Sequence, residues 1–196
     1  MGTPTGHLRA VGSNPAVTTV HQLKVTLRGV KPPVWRRVVV PSSWTLAKLS
    51  PTLEAVMGWY GGHLHVFDAD DVVYGAPDLD WGDRMRDERK VRVGEVLSAV
   101  RSKLRWDYDF GDGWQHDVVV EAIVEPDPKL RYPHCMAGRR ACPPEDCGGP
   151  WGYRELLEVF ADPTQPDPRE LRDWAPQGFD PARFDLSETN LVLSQR

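Results

Sequence analysis

The residues of this chain whose types could do chemistry fall into a cysteine set, a histidine set and an acidic hairpin. Cys135, Cys142 and Cys147 lie with six and four residues between them. Thiolates are good zinc ligands, and structural zinc takes four Cys or His at tetrahedral geometry. The chain has no fourth Cys, so His134, His63, His65 or His116 could complete a Cys3His site. The spacing is not that of a ribbon or finger, which shows two tight pairs. The same cysteines also fit a proline-braced loop of packed thiols, with Cys135 a small apolar filler. A Cys142–Cys147 disulfide is a third option in an oxidising compartment. His63 and His65 stand two apart, so a strand would put both on one face. With Asp68 close in sequence, they could hold a divalent ion through nitrogen and oxygen. The alternative is ordinary sheet histidines bonded to Asp or backbone. His116 follows a hairpin bearing Asp107, Asp109 and Asp112. Those carboxyls could act as paired acids or metal ligands. Asp109 and Asp112 could equally form the turn by accepting backbone N–H bonds.

Two further pairs complete the candidates. Glu145 and Asp146 sit between two prolines and Cys147, where the backbone has little freedom. They could cap the helix that follows, or stay exposed for a ligand. Arg36 and Arg37 point to opposite faces of a strand. The inward one needs a partner, because an unpaired buried charge is expensive. Asp107 and Glu121 are candidates. The outward one could join Lys24, Arg28 and Lys31 in a basic stripe for a phosphate-bearing or protein partner. Residues 1–50 hold seven basic residues and no acid, although the whole chain is at −4. That net charge argues against a general nucleic-acid binder; the asymmetry marks one segment for an anionic partner. The bland counterpart is exposed strand Lys and Arg balanced by acids elsewhere in the fold.

The elements that must position these residues can be read from periodicity. At 196 residues and 40% hydrophobic content the chain fits one domain with a real core. Residues 1–19 read as a flexible leader and 20–196 as the domain. Strands are expected at 21–28, 34–40, 63–68, 103–110 and 114–124. The first two should pair antiparallel, since their connection is short. Leu104, Trp106, Tyr108 and Phe110 form one apolar face, continued by Trp114, His116 and Val118 across the Gly111-Asp112-Gly113 turn. Pro51 predicts a helix over 51–57 capped by Ser50, or one kinked helix from 46, ended by Gly58. A short helix around 95–100, another over 151–160 and a last one capped by Ser187 complete the reading. Residues 75–90 and 163–168 look like loops. This is an α+β fold: one domain, an antiparallel or mixed β-sheet and a few flanking helices.

Several blocks coincide: a proline pair followed by VWRR, then GWYGGHLHVF, YDFGDGWQH, CPPEDCGGPWGY and FDPARFD. Together they resemble the plasmid pRiA4b ORF-3-like family over about residues 20–193. Its members are also described as TnpR-type passenger proteins of an insertion element. The resemblance implies an α+β fold and a mobile-element setting, but no established activity. The family commonly has Leu-His in the first helix, where this chain has Leu49-Ser50, so no histidine role transfers there. Neither a serine-recombinase nor a tyrosine-recombinase residue set can be found. The expectation is a non-catalytic binding or regulatory module in the cytoplasm. Its alternatives are a metal-dependent, hydrolase-like enzyme, with zinc the cofactor to consider, and a structural interaction domain. Convergence discriminates: the enzyme reading needs the histidines, Asp109 and the Cys loop in one cleft.

Overall fold

Alternating apolar residues build the middle of the molecule. In this computed structural model, which describes residues 19–77, 85–162, 164, 166, 167 and 170–195, eight strands form one sheet. They are β1 (Val20–Leu27), β2 (Trp35–Pro41), β3 (His65–Ala69), β4 (Val72–Gly75), β5 (Met85–Asp87), β6 (Lys103–Tyr108), β7 (Trp114–Val124) and β8 (His134–Arg139). The order is β5-β4-β3-β6-β7-β1-β2-β8. All neighbours are antiparallel except β4 and β5, so the sheet is mixed. The expected strand ends shift by a residue or two. β4, β5 and β8 were not expected; the first two fall in or beside the stretch read as loop. The leader expected over 1–19 lies outside the described residues except Thr19.

The pleat sorts the two faces. Leu104, Trp106 and Tyr108 of β6 stand opposite Val118, His116 and Trp114 of β7. All six are buried, and Leu23, Val25 and Leu27 of β1 extend the same layer. The other face carries Lys24 beside Arg37 and Arg105 beside Asp117, charged side chains left toward water. Phe110 leaves the apolar face. β6 ends at Tyr108, Asp109 turns left-handed at φ 55°, and Phe110 is exposed.

Five helices pack on or around the sheet: α1 (Leu46–Met57), α2 (Val93–Val96), α3 (Gly149–Ala161), α4 (Leu171–Trp174) and α5 (Leu186–Ser194). α1 is one continuous helix with Pro51 inside it, not a turn followed by a helix from 51. The lost hydrogen bond costs about 3 kcal/mol. Starting at 46 buries Leu46, Leu49 and Leu53 completely, and each such side chain returns about 1.5–3 kcal/mol. Burial therefore outweighs the proline, which sits on the exposed side. Ser50 does not cap; its hydroxyl donates to Glu54 Oε1 at 3.0 Å. Gly58 does end the helix, in the left-handed region at φ 87°. The last helix is capped by Asp185, whose side chain accepts from Glu188 N, not by Ser187. No helix among the described residues is long and apolar enough to cross a membrane.

Candidate functional site

Three connections meet at one end of the sheet: the 58–64 loop after α1, the 109–113 hairpin turn, and the 142–149 loop before α3. They are the segments that hold the blocks GWYGGHLH, FGDGW and CPPEDCGG. Trp59 turns inward. Its ring stacks on Tyr108 at 4.9 Å, and its Nε1 donates to Pro143 O at 2.9 Å. Tyr60 N donates to Glu145 Oε2 at 3.2 Å, and Tyr108 OH donates to Glu145 Oε1 at 2.9 Å. Burial first, then the Glu145 bond, pushes the Tyr108 hydroxyl far above its ordinary value, so it stays a donor. Glu145 therefore fastens the 142–149 loop to both neighbours.

The hairpin seats the same loop from the other side. Asp109 Oδ1 accepts from Gly111 N at 3.0 Å, which shapes the turn. Gly148 N donates to Asp112 Oδ2 at 3.3 Å. A Cβ on Gly149 would lie 2.2 Å from Asp112 O, so only glycine allows this approach. The N-cap of α3 is Gly148 with no side-chain cap, so neither Glu145 nor Asp146 caps that helix.

His63 stands where these connections meet. Its Nδ1 lies 3.6 Å from Asp109 Oδ1 and its Nε2 lies 3.6 Å from Asp146 Oδ1. One ligand atom from each of the three residues falls within 4.8 Å of the others. Asp109 is buried, His63 partly buried and Asp146 exposed, so the cluster opens to solvent on the Asp146 side. Asp109 and Asp146 both hold left-handed backbone, at φ 55° and 56°.

The other expected residues lie elsewhere. β3 begins at His65, so His63 precedes the strand and the two histidines diverge. His65 Nε2 pairs with the buried Glu88 at 2.9 Å. Asp68 and Asp107 both bind Arg105 on the polar face, at 2.8 and 2.9 Å. His116 is fully buried among Trp59 and Trp106, with Nδ1 at 3.2 Å from Trp106 O. Burial lowers its pKa to about 3 and keeps the ring neutral. Among the described residues no group of three metal-ligating side chains includes a cysteine, so the Cys3His site does not assemble. Cys135, Cys142 and Cys147 are buried and not disulfide-bonded. Cys142 Sγ lies 3.4 Å from Arg36 and 3.6 Å from Met57 Sδ, and burial raises its pKa against the pull of that guanidinium. The guanidinium beside Cys142 repels a metal cation, and Cys142 and Cys147 are not joined in a disulfide.

Arg36 is the inward arginine, as the pleat requires, but among the described residues no carboxylate pairs with it. It donates to Val56 O at 2.7 Å, Trp35 O at 2.9 Å and Arg139 O at 3.1 Å, under the Phe184 ring at 4.4 Å. Glu121 instead binds the outward Arg37 in a two-bond fork. The basic segment is thus split between the interior and the polar face of the sheet, where Lys24 and Arg37 stand side by side. Arg36 is buried, Arg37 paired, Arg28 lies 3.8 Å from Asp117, and Lys24 sits over the Trp35 ring. The sequence named His63, Asp109 and Asp146, and grouped the histidines and Asp109 with the Cys loop only as a condition of the enzyme reading, because contacts that span 46 and 83 positions of chain cannot be read from spacing. The blocks themselves were the available signal, since all three end in this corner.

The architecture is that of an α+β protein with one mixed sheet and an open His-Asp-Asp cluster at the sheet's end. The chain belongs to the family described as plasmid pRiA4b ORF-3-like protein, whose model matches residues 19–188. It is 41% identical over 182 residues to the uncharacterized protein y4hQ of Sinorhizobium fredii (strain NBRC 101917 / NGR234), covering 90% of this chain and 92% of that one. The crystal structure of a protein of unknown function, MM3350 from Methanosarcina mazei Go1, is similar at a TM-score of 0.80 and 35% identity. That match covers 87% of this chain and 97% of the other.

Proposed function

We propose that this protein is a non-catalytic binding module that holds one divalent transition-metal ion through His63, Asp109 and Asp146. The observation that carries the reading is the convergence of one imidazole and two carboxylates, from three separate connections, within 4.8 Å. An imidazole with two carboxylates suits zinc or a neighbouring transition metal better than magnesium, which prefers an all-oxygen shell. An ion there would tie the three connections together and leave a coordination position open for a partner's side chain. Scatter among the remaining candidates supports binding over catalysis, since His65, His116 and the cysteines lie outside the cluster. The family's description, a plasmid open reading frame, supports a regulatory module carried on mobile elements.

Equilibrium dialysis against zinc and against magnesium tests this. We expect one zinc per chain and no comparable magnesium uptake. His63→Ala and Asp146→Asn, both solvent-accessible positions, should each weaken zinc by about tenfold or more. Cys142→Ala should bind as the parent does. Retention of zinc by the first two variants together with its loss in the third would move the site to the cysteines and refute the reading.

A metal-dependent hydrolase is the second reading. It is favoured by the same three-ligand count, which leaves room for a metal-bound water. Turnover of a p-nitrophenyl ester or phosphate by zinc-loaded protein, lost in Asp146→Asn, would place it first.

A further inference from the structure

A groove opens beside the His63 cluster, between the end of α1, the 141–146 segment and the chain from Trp174 to Val192. Its volume is about 800 Å³, within the range of clefts that take a ligand. Trp59, Phe179 and Phe184 line it, with Tyr60 and Trp174 at 89% and 57% exposure. Tyr and Trp that stand this far out of a fold are typical of recognition surfaces.

The charge of the groove is predominantly negative. Glu145, Asp146, Asp180, Asp185 and Glu188 all belong to its lining. Two guanidinium groups share it: one is closed off from a ligand, and the other is exposed but outnumbered by the carboxylates beside it. Arg36 is buried, occupied by three backbone carbonyls and covered by the Phe184 ring. Arg183 lies between Asp185 at 3.4 Å and Glu188 at 3.7 Å. The carboxylates on offer are well exposed, Asp146 at 63% and Glu188 at 70% of the side chain. A phosphate-bearing polymer would be repelled here. A cationic side chain would meet carboxylates and the faces of Tyr60 and Trp174 together, a pairing that favours Arg and Lys.

We propose that this groove binds a partner protein through a basic peptide segment that also carries apolar side chains. The basic groups face the acidic rim, and the apolar ones lie on Phe179 and Phe184, with Trp59 forming the floor beneath. The proposal does not rest on the metal reading, because none of the carboxylates beyond Asp146 belongs to the His63 cluster.

The test is fluorescence anisotropy with a fluorescein-labelled octapeptide of alternating arginine and leucine, in excess EDTA. Peptides of alternating glutamate and leucine, and of alternating arginine and glycine, serve as controls. The arginine–leucine peptide should bind, the arginine–glycine peptide at least fivefold more weakly, and the glutamate–leucine peptide not at all. Glu188→Lys and Trp174→Ala should each weaken binding at least fivefold with unchanged unfolding midpoints. Tyr60→Ala, at the most exposed of these positions, gives the same readout should either variant fail to fold. No binding of the arginine–leucine peptide overturns the proposal. So does equal binding of the arginine–glycine peptide, preferential binding of a duplex oligonucleotide, or folded variants that bind like the parent. With EDTA present, failure here is separate from failure of the zinc titration.

Discussion

At His116 the sheet holds a titratable ring neutral inside its aromatic layer. Burial lowers its pKa to about 3, against an ordinary value near 6.5. Between those values the unfolded chain binds a proton that the folded chain refuses, so stability rises with pH across the window and falls on acidification. His21 is shifted the same way by its own burial and adds the same sign. From pH 7 to pH 5 the His116 contribution is a loss of about 2 kcal/mol. Urea unfolding at the two pH values should show that loss in the parent and a markedly smaller one in His116→Phe. Equal losses in both would remove His116 as the cause. The alternation of residues 104–118 made the burial of His116 legible, since it shares a face with Trp106 and Trp114. It could not show that the ring packs against Trp59 and Trp106 with a backbone carbonyl at its Nδ1. The reverse holds at His63. Its spacing from His65 suggested a shared strand face, yet the strand starts two residues later, and a turn of Gly61-Gly62 aims the ring at the hairpin instead.

The elements nearest the site are held by close backbone approach, and sequence patterns reveal this only partly. Gly149 marks the tightest point, at φ 67° with the Asp112 carbonyl 2.2 Å from any added Cβ. Gly178 has a similar φ of 76° but nothing within 4 Å of its Cβ position. Gly178→Ala should therefore cost only the conformational term, about 1–2 kcal/mol. Gly149→Ala adds a clash that must displace the loop, for about 2–4 kcal/mol in all. Urea midpoints of the two variants read the difference, and equal midpoints would mean the loop does not press on the hairpin. The paired glycines and prolines of this loop were visible as a rigid element from the residue types alone. α1 was legible in extent from Leu46, Leu49 and Leu53, but Pro51 suggested a later start than the buried face dictates. β8 was not legible. Its sequence, HCMAGR, buries only Cys135 fully and pairs along the sheet edge through a register shift at Arg37/Val38.

On the scale of the whole molecule, the charge asymmetry of the sequence dissolves in the fold. The basic first quarter is threaded through the sheet, where Arg36 is buried and Arg37 and Arg28 face Glu121 and Asp117. What the sequence could not show is the opposite concentration, an acidic and aromatic end built from four distant segments. Its composition there is unremarkable in any one segment; only the fold sums it. The fold class itself followed from the alternating strands, the short connections and the family blocks. The mixed order of the sheet depended on β4 and β5, which at four and three residues are too short to show a period.

The proposed metal site is the place where His63, Asp109 and Asp146 converge. Crystals grown with one equivalent of zinc, measured on both sides of the zinc absorption edge, test it most directly. A single anomalous peak is expected within about 2.0–2.2 Å of one His63 nitrogen and one oxygen each of Asp109 and Asp146. A peak at Cys135, Cys142 or Cys147 instead, or none at His63, would contradict it.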